Sequence, residues 1–118
     1  HVYVADEGKG CIQYFTAAGS FLGQWGTPGS AAGQFGDSLS LAAGPDGTIF
    51  VADADNDRVQ YFTAAGSYLG LVGCDSDGYR YNEFQWPTGV AVAPNGYVYV
   101  ADRGLNRVFY YEPRAADK

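Results

Sequence analysis

Residues 13–23 read QYFTAAGSFLG and residues 60–70 read QYFTAAGSYLG, so ten of eleven positions coincide at a spacing of 47 residues. A chain that repeats itself at a period between 20 and 50 residues folds as an array of equivalent units, each too small to bury its own apolar surface alone. A second phrase keeps the same beat. It reads VYVAD at 2–6, IFVAD at 49–53 and VYVAD at 98–102, with Asp6 and Asp53 47 residues apart and Asp53 and Asp102 49 apart.

Four runs of strand character fill the one unbroken unit: LSLAA at 39–43, TIFVA at 48–52, VQYF at 59–62 and YLGLV at 68–72. Each has the alternation or the β-branched and aromatic content of a strand, and Gly, Pro, Asp or Asn bounds it. No segment keeps a 3.6-residue period. Pro45-Asp46-Gly47 joins the first two runs, and Pro94-Asn95-Gly96 takes its place in the next unit. Gly after Asp or Asn supplies the positive φ of a tight hairpin. Thr63-Ala64-Ala65-Gly66-Ser67 joins the third and fourth runs and is matched by residues 16–20. A four-stranded antiparallel meander recurring every 47 to 49 residues predicts an all-β fold of β-propeller blades. Leucine-rich repeats are shorter and helical repeats would show the helical period.

The segments AGPDGTIFVADADNDRVQYFTAAGSYLG and PTGVAVAPNGYVYVADRGLNRVFYY resemble NHL repeats, whose units run Pro-x-Gly-Val-Ala-Val, Gly-x-Val-Tyr-Val-Ala-Asp, Asn-x-Arg-Val-Gln and Gly-x-Phe-Leu. The resemblance covers the whole chain and implies a propeller, commonly of six blades. With strands named a to d from the central channel outward, the chain reads bcd, abcd, abc. The units are expected at 1–33, 34–82 and 83–118, the first lacking its inner strand and the last its outer one. Two and a half blades cannot close a ring, and their end faces would leave broad apolar surface in water. Either a longer parent chain completes the ring or copies associate, a closed homodimer being the expected form.

Aromatic residues make up 16% of the chain, far above what a disordered segment carries. No apolar stretch approaches the roughly 20 residues that span a bilayer, so no membrane partner is expected. A net charge of −6 argues against a nucleic-acid backbone as partner. Met is absent, so His1 is not an initiator and the chain is expected to be a processed product or part of a longer protein. His1 is also the single histidine, which removes most His-dependent catalysis and zinc chemistry from this segment by itself.

Asp6, Asp53 and Asp102 hold the same position in every unit, and Arg58 and Arg107 follow the last two by five residues. A residue needed once for chemistry need not recur in each blade. Their expected role is therefore structural, the Asp satisfying turn amides and pairing with the Arg. Cys11 replaces the Arg in the first unit. Asp53, Asp55 and Asp57 have the alternate-carboxylate spacing of a calcium loop, and Asp75, Ser76, Asp77 and Gly78 echo a fragment of one. The twelve-residue pattern is incomplete, because no Gly stands at its place and no bidentate Glu closes it, so solvated turn carboxylates are the expectation over calcium. The glycines at 23, 26, 29 and 33 lack the Lys and the following helix of a phosphate loop, and are read as crossover glycines.

Departures from the repeat are more informative about function. The second crossover, 74–86, reads CDSDGYRYNEFQW and is two residues longer than its counterpart at 27–37. It places Tyr79, Arg80, Tyr81 and Trp86 on the face shared with the b-to-c turns, as a candidate surface for a protein, peptide or glycan ligand; packing against the adjacent blade is the competing explanation. Cys11 and Cys74 would lie about a blade apart, a spacing that argues against an intrachain disulfide and leaves free thiols or a link between chains open. Ser20 and Ser67 sit in turns without a His partner, so no nucleophile is assembled. The expectation is a non-enzymatic binding or assembly scaffold without a cofactor. The enzyme alternative comes from the resemblance, since some NHL-like propellers are amidating lyases and related propellers are lactonases. Either would need metal ligands from outside this segment. Bacterial proteins resembling this chain are often exported, which points to a secreted or periplasmic location only by that resemblance.

Overall fold

Each apolar run forms a strand of about five residues, and each Gly, Asp or Asn cluster turns the chain back on itself. The computed structural model describes residues 1–72 and 84–112. Three antiparallel sheets follow one another among the described residues. The first contains β1 (Val2–Asp6), β2 (Cys11–Phe15) and β3 (Phe21–Trp25); the second contains β6 (Leu39–Ala43), β7 (Ile49–Asp53), β8 (Arg58–Phe62) and β9 (Tyr68–Leu71). The third contains β10 (Pro87–Val92), β11 (Val98–Asp102) and β12 (Arg107–Tyr111). Strand order in each sheet is sequence order, the bcd, abcd, abc pattern expected from the repeat. Boundaries differ by a residue: β7 starts and ends one residue later than the alternation suggested, and β8 begins at Arg58 rather than Val59.

The sequence did not announce a short parallel pair between β4 (Thr27–Pro28) and β5 (Gln34–Phe35), inside the first crossover. Gly29 N–H donates to the Phe35 carbonyl at 3.0 Å and shapes the crossover into a closed loop, which inserts the Phe35 ring, 1% exposed, between the first and second sheets. Paired backbone groups are what allow this loop to sit against the core.

The hairpins use side-chain acceptors as well as glycine. Thr48 N–H donates to Asp46 Oδ1 at 3.0 Å and Tyr97 N–H to Asn95 Oδ1 at 3.0 Å, while Gly47 and Gly96 follow at φ 91° and 92°. In both c-to-d turns a threonine hydroxyl accepts the backbone N–H four residues on, Ser20 to Thr16 and Ser67 to Thr63.

A strand here has two apolar faces, and the sheets stack face to face. Ile12 of the first sheet meets Ile49, Val51 and Phe62 of the second, with Tyr3, Ala5 and Trp25 packed alongside. The opposite face of the second sheet, through Ala52 and Val59, meets Phe84, Val98 and Val100 of the third unit. Successive side chains of one strand thus serve two different interfaces.

Candidate functional site

The repeated aspartates stand where strand b ends and the chain turns into strand c. Asp53 is fully buried, and its Oδ2 accepts the N–H of Gly36 at 3.0 Å and of the Asn56 side chain at 2.9 Å. Asp102 is 2% exposed and accepts the N–H groups of Gln85 (2.8 Å), Trp86 (3.2 Å) and Leu105 (3.1 Å). Each carboxylate therefore ties the crossover that enters its blade to the b-to-c turn of that blade. A charged acceptor for backbone donors makes this a strong tie. Asp6 is half-buried and accepts the Lys9 N–H at 3.3 Å.

Arg58 stands 3.8 Å from Asp53, an ionic contact longer than a hydrogen bond. Its guanidinium reaches further, donating to the carbonyls of Ser30 (2.8 Å), Ala31 (3.0 Å) and Gln34 (2.8 Å). Gln60 completes the clamp: its Oε1 accepts the Gly33 N–H at 2.8 Å and its Nε2 donates to the Gln34 carbonyl at 2.9 Å. Gln60, Gln34 and Asn56 were missed by the sequence reading, although Gln60 opens the doubled phrase and Gln13 precedes it in the first copy. Arg107 is exposed.

Asp55 is exposed and accepts the Asp37 N–H at 2.6 Å. Asp57 adopts φ 54°, a left-handed position filled by Asn106 (φ 55°) and Gly10 (φ 62°) in the other units. Asp, Asn and Gly are the residues that tolerate that conformation, which accounts for this carboxylate without a ligand. Among the described residues no group of three or more His, Cys, Asp or Glu is placed to hold a metal ion.

Trp86 is 36% exposed at the start of the third unit. Its backbone is fixed at both ends, by Asp102 at the N–H and by the Arg103 N–H, which donates to its carbonyl at 3.0 Å. Gly104 lies so close that a Cβ there would stand 3.0 Å from Gln85 Cβ and 3.3 Å from Trp86 Cβ. The arrangement holds an aromatic ring at the surface on a rigid base. Tyr79, Arg80, Tyr81, Cys74, Asp75 and Asp77 lie outside the described residues. Cys11 is a buried free thiol.

Residues 84–111 match the family model described as NHL repeat. The chain carries an NHL repeat. No curated protein sequence matches the chain. Forty-seven solved chains match, among them a streptogramin B lyase structure with a TM-score of 0.60 and 13% identity, over 95% of this chain and 40% of that one. At that identity the likeness concerns the fold, and this chain spans 40% of the length of that solved chain. The all-β sheets, the repeat and this neighbour together make the chain a run of β-propeller blades.

Proposed function

We propose that this NHL propeller segment is a non-enzymatic binding scaffold whose recognition surface is the crossover face around Trp86, with a protein, peptide or glycan as ligand. One observation carries the reading. On the described part of this face the buried polar side chains are engaged with crossover backbone, whereas the aromatic ring of Trp86 is left at the surface on a fixed backbone. A pre-positioned aromatic is the usual anchor of a recognition surface, because it adds contact area with little loss of rotamer freedom. Tyr79, Arg80 and Tyr81 stand near Trp86 in the sequence and are the further candidates for ligand contact.

Labelled protein applied to arrayed glycans and to a displayed random-peptide library tests this reading, with Trp86→Ala as the comparison. Hits that disappear in Trp86→Ala, with an unchanged thermal melt, support it. Hits indifferent to Trp86, or no hits in either library, overturn it.

A second reading takes the segment as part of a propeller enzyme, and the name of its structural relative favours it. It requires ligands and reacting groups from residues beyond those described, since no metal-holding cluster stands among the latter. Turnover of streptogramin B by the purified chain would decide for it.

A further inference from the structure

Two neighbouring blades solve one packing problem in opposite ways, and the choice leaves carboxylates on one and an aromatic ring on the next. Phe35 and Phe84 fill the same buried position, and the N–H that follows each, of Gly36 and of Gln85, donates to Oδ2 of Asp53 and of Asp102. Asp37 and Trp86 therefore hold equivalent places, as do Asp55 and Gly104, each two residues beyond the buried aspartate of its blade. Between the crossover and the b-to-c turn there is room for one side chain. In the second unit a Cβ on Gly36 would stand 2.6 Å from Asp55 Cβ, and in the third a Cβ on Gly104 would stand 3.0 Å from Gln85 Cβ. Either arrangement satisfies the architecture, so architecture does not dictate Asp55 on one blade or Gln85 and Trp86 on the other.

The result is a chemical contrast at one end of the inner strands. Asp55 Oδ2 accepts the Asp37 N–H at 2.6 Å, and Glu7, from the b-to-c turn of the first unit, accepts the Leu39 N–H at 3.1 Å. Three exposed carboxylates thus converge on residues 37–39, and among the described residues no Lys or Arg forms an ion pair with any of them. Beneath them Asp53 Oδ1 is buried without a hydrogen-bond donor. It lies 3.0 Å from the point that a Cβ on Gly36 would occupy, and Asp55 Oδ2 lies 3.2 Å from the same point. β6 and β10 begin just after Asp37 and Trp86 and pack side by side, a Cβ on Gly44 at the far end standing 3.5 Å from Val92. Sheets stacked face to face stand about 10 Å apart, so the carboxylates and the Trp86 ring are neighbours on one surface. The opposite face differs: its turns at 16–20, 44–47, 63–67 and 93–96 carry Asp46 as their one charged side chain.

We infer that the ligand of the Trp86 surface is a peptide bearing a Lys or Arg, whose cationic head is held by Glu7, Asp37 and Asp55 while a nearby apolar side chain lies on Trp86. The inference rests on the reading of that surface as a recognition site, and selects a basic peptide from the ligand classes open to it. A cation answers carboxylates that have no cationic partner among the described residues, and complementary charge steers encounter and fixes register. An extended chain advances about 3.3 Å per residue, so the basic residue and the residue on Trp86 stand about three positions apart. A neutral glycan would leave the carboxylates unanswered, and an anionic ligand would meet like charge.

The test takes peptides selected by the wild-type chain from a displayed random library and measures their binding to Trp86→Ala and to the triple variant Glu7→Gln, Asp37→Asn, Asp55→Asn. The amides keep the size of the side chains and the acceptors for the Asp37 and Leu39 N–H groups, and circular dichroism checks the fold. Glu7→Gln alone repeats the measurement should the triple variant not fold. Peptides that depend on Trp86 should be enriched in Lys or Arg about three positions from an apolar residue. They should bind the triple variant about tenfold more weakly, and Glu7→Gln about threefold, and should weaken as salt rises. Replacing the peptide's Lys by norleucine should give the same loss, with little more when both partners are changed. Trp86-dependent peptides that carry no basic residue, or that the amide variants bind as wild type does, overturn the inference and leave the recognition surface standing; Trp86-dependent binding of neutral glycans alone does the same. The absence of any Trp86-dependent ligand overturns the surface itself, and this inference with it.

Discussion

β1 and β11 are the same five residues, VYVAD, yet they bury opposite faces. In β11 Val98 and Val100 are buried and Tyr99 and Ala101 are exposed; in β1 Val2 and Val4 are exposed, while Tyr3 and Ala5 pack against the second sheet. Burial here is a property of position in the array. Each blade carries two apolar faces, the middle one has both covered, and each end has one left over. The pentapeptide therefore encodes two interfaces, of which the chain by itself makes only one at each end.

The strongest way to break this comparison is to place a charge at the same point of both strands. Val100 is fully buried between the second and third sheets. Val100→Asp should cost more than about 4 kcal/mol, through a buried unpaired carboxylate and the lost packing. Val4→Asp should change the stability of the dilute chain by no more than about 0.5 kcal/mol. Urea unfolding of both variants at low concentration reads the difference, and equal losses would mean that the first sheet's outer face is buried in solution.

The last residue of the two pentapeptides gives the next contrast. Asp102 accepts the N–H groups of Gln85, Trp86 and Leu105, while half-buried Asp6 accepts that of Lys9 at 3.3 Å. Asp102→Ala strands three part-buried donors and should cost about 2 kcal/mol, whereas Asp6→Ala should stay near 0.5 kcal/mol. Hydrogen exchange at the Gln85 and Trp86 amides should rise in the first variant, and unaltered protection there would contradict the tie.

These aspartates also show what the sequence could carry. Their recurrence marked them as architectural, and the strand order followed from period and turn chemistry because both are local. The partners were not legible. Arg58 was expected to face Asp53 and stands 3.8 Å from it, but its hydrogen bonds to Ser30, Ala31 and Gln34 join residues 24 to 28 apart, a distance over which no local pattern speaks. The parallel pair of β4 and β5 escaped for a related reason, since two residues per strand leave no alternation to read. Trp86 was identified as a departure from the repeat, and its fixed backbone became visible only through Asp102.

A smaller effect separates the two copies of the doubled phrase. Gly19 and Gly66 both adopt positive φ, 95° and 100°, so a side chain strains either turn. A Cβ at Gly66 also meets the Trp25 ring, whereas the position at Gly19 is open. Gly19→Ala should cost about 1 kcal/mol from backbone strain, and Gly66→Ala about 2 kcal/mol or more, because the ring must also shift. Comparing their melting temperatures isolates the blade-to-blade contact from the turn, and equal losses would mean that the Trp25 contact adds nothing to the strain of the turn.

The smallest contrast lies in the a-to-b hairpins, where Asp46 of the second sheet and Asn95 of the third accept the same kind of backbone N–H at the same 3.0 Å. The hydrogen bond from the Thr48 backbone holds the Asp46 carboxyl below its ordinary value of 3.8, with the Thr48 side chain adding to the effect. A carboxylate whose folded value is depressed adds stability above its unfolded value and loses it as pH falls through the folded one. Asn at this position keeps an acceptor but has nothing to protonate. Wild type should therefore exceed Asp46→Asn by at most about 0.5 kcal/mol at pH 7, given that the group is largely in water. That margin should disappear in acid, below the usual carboxylate range, as the wild-type side chain becomes neutral. A margin independent of pH would show that the two hairpins differ in packing rather than in the charge on the acceptor.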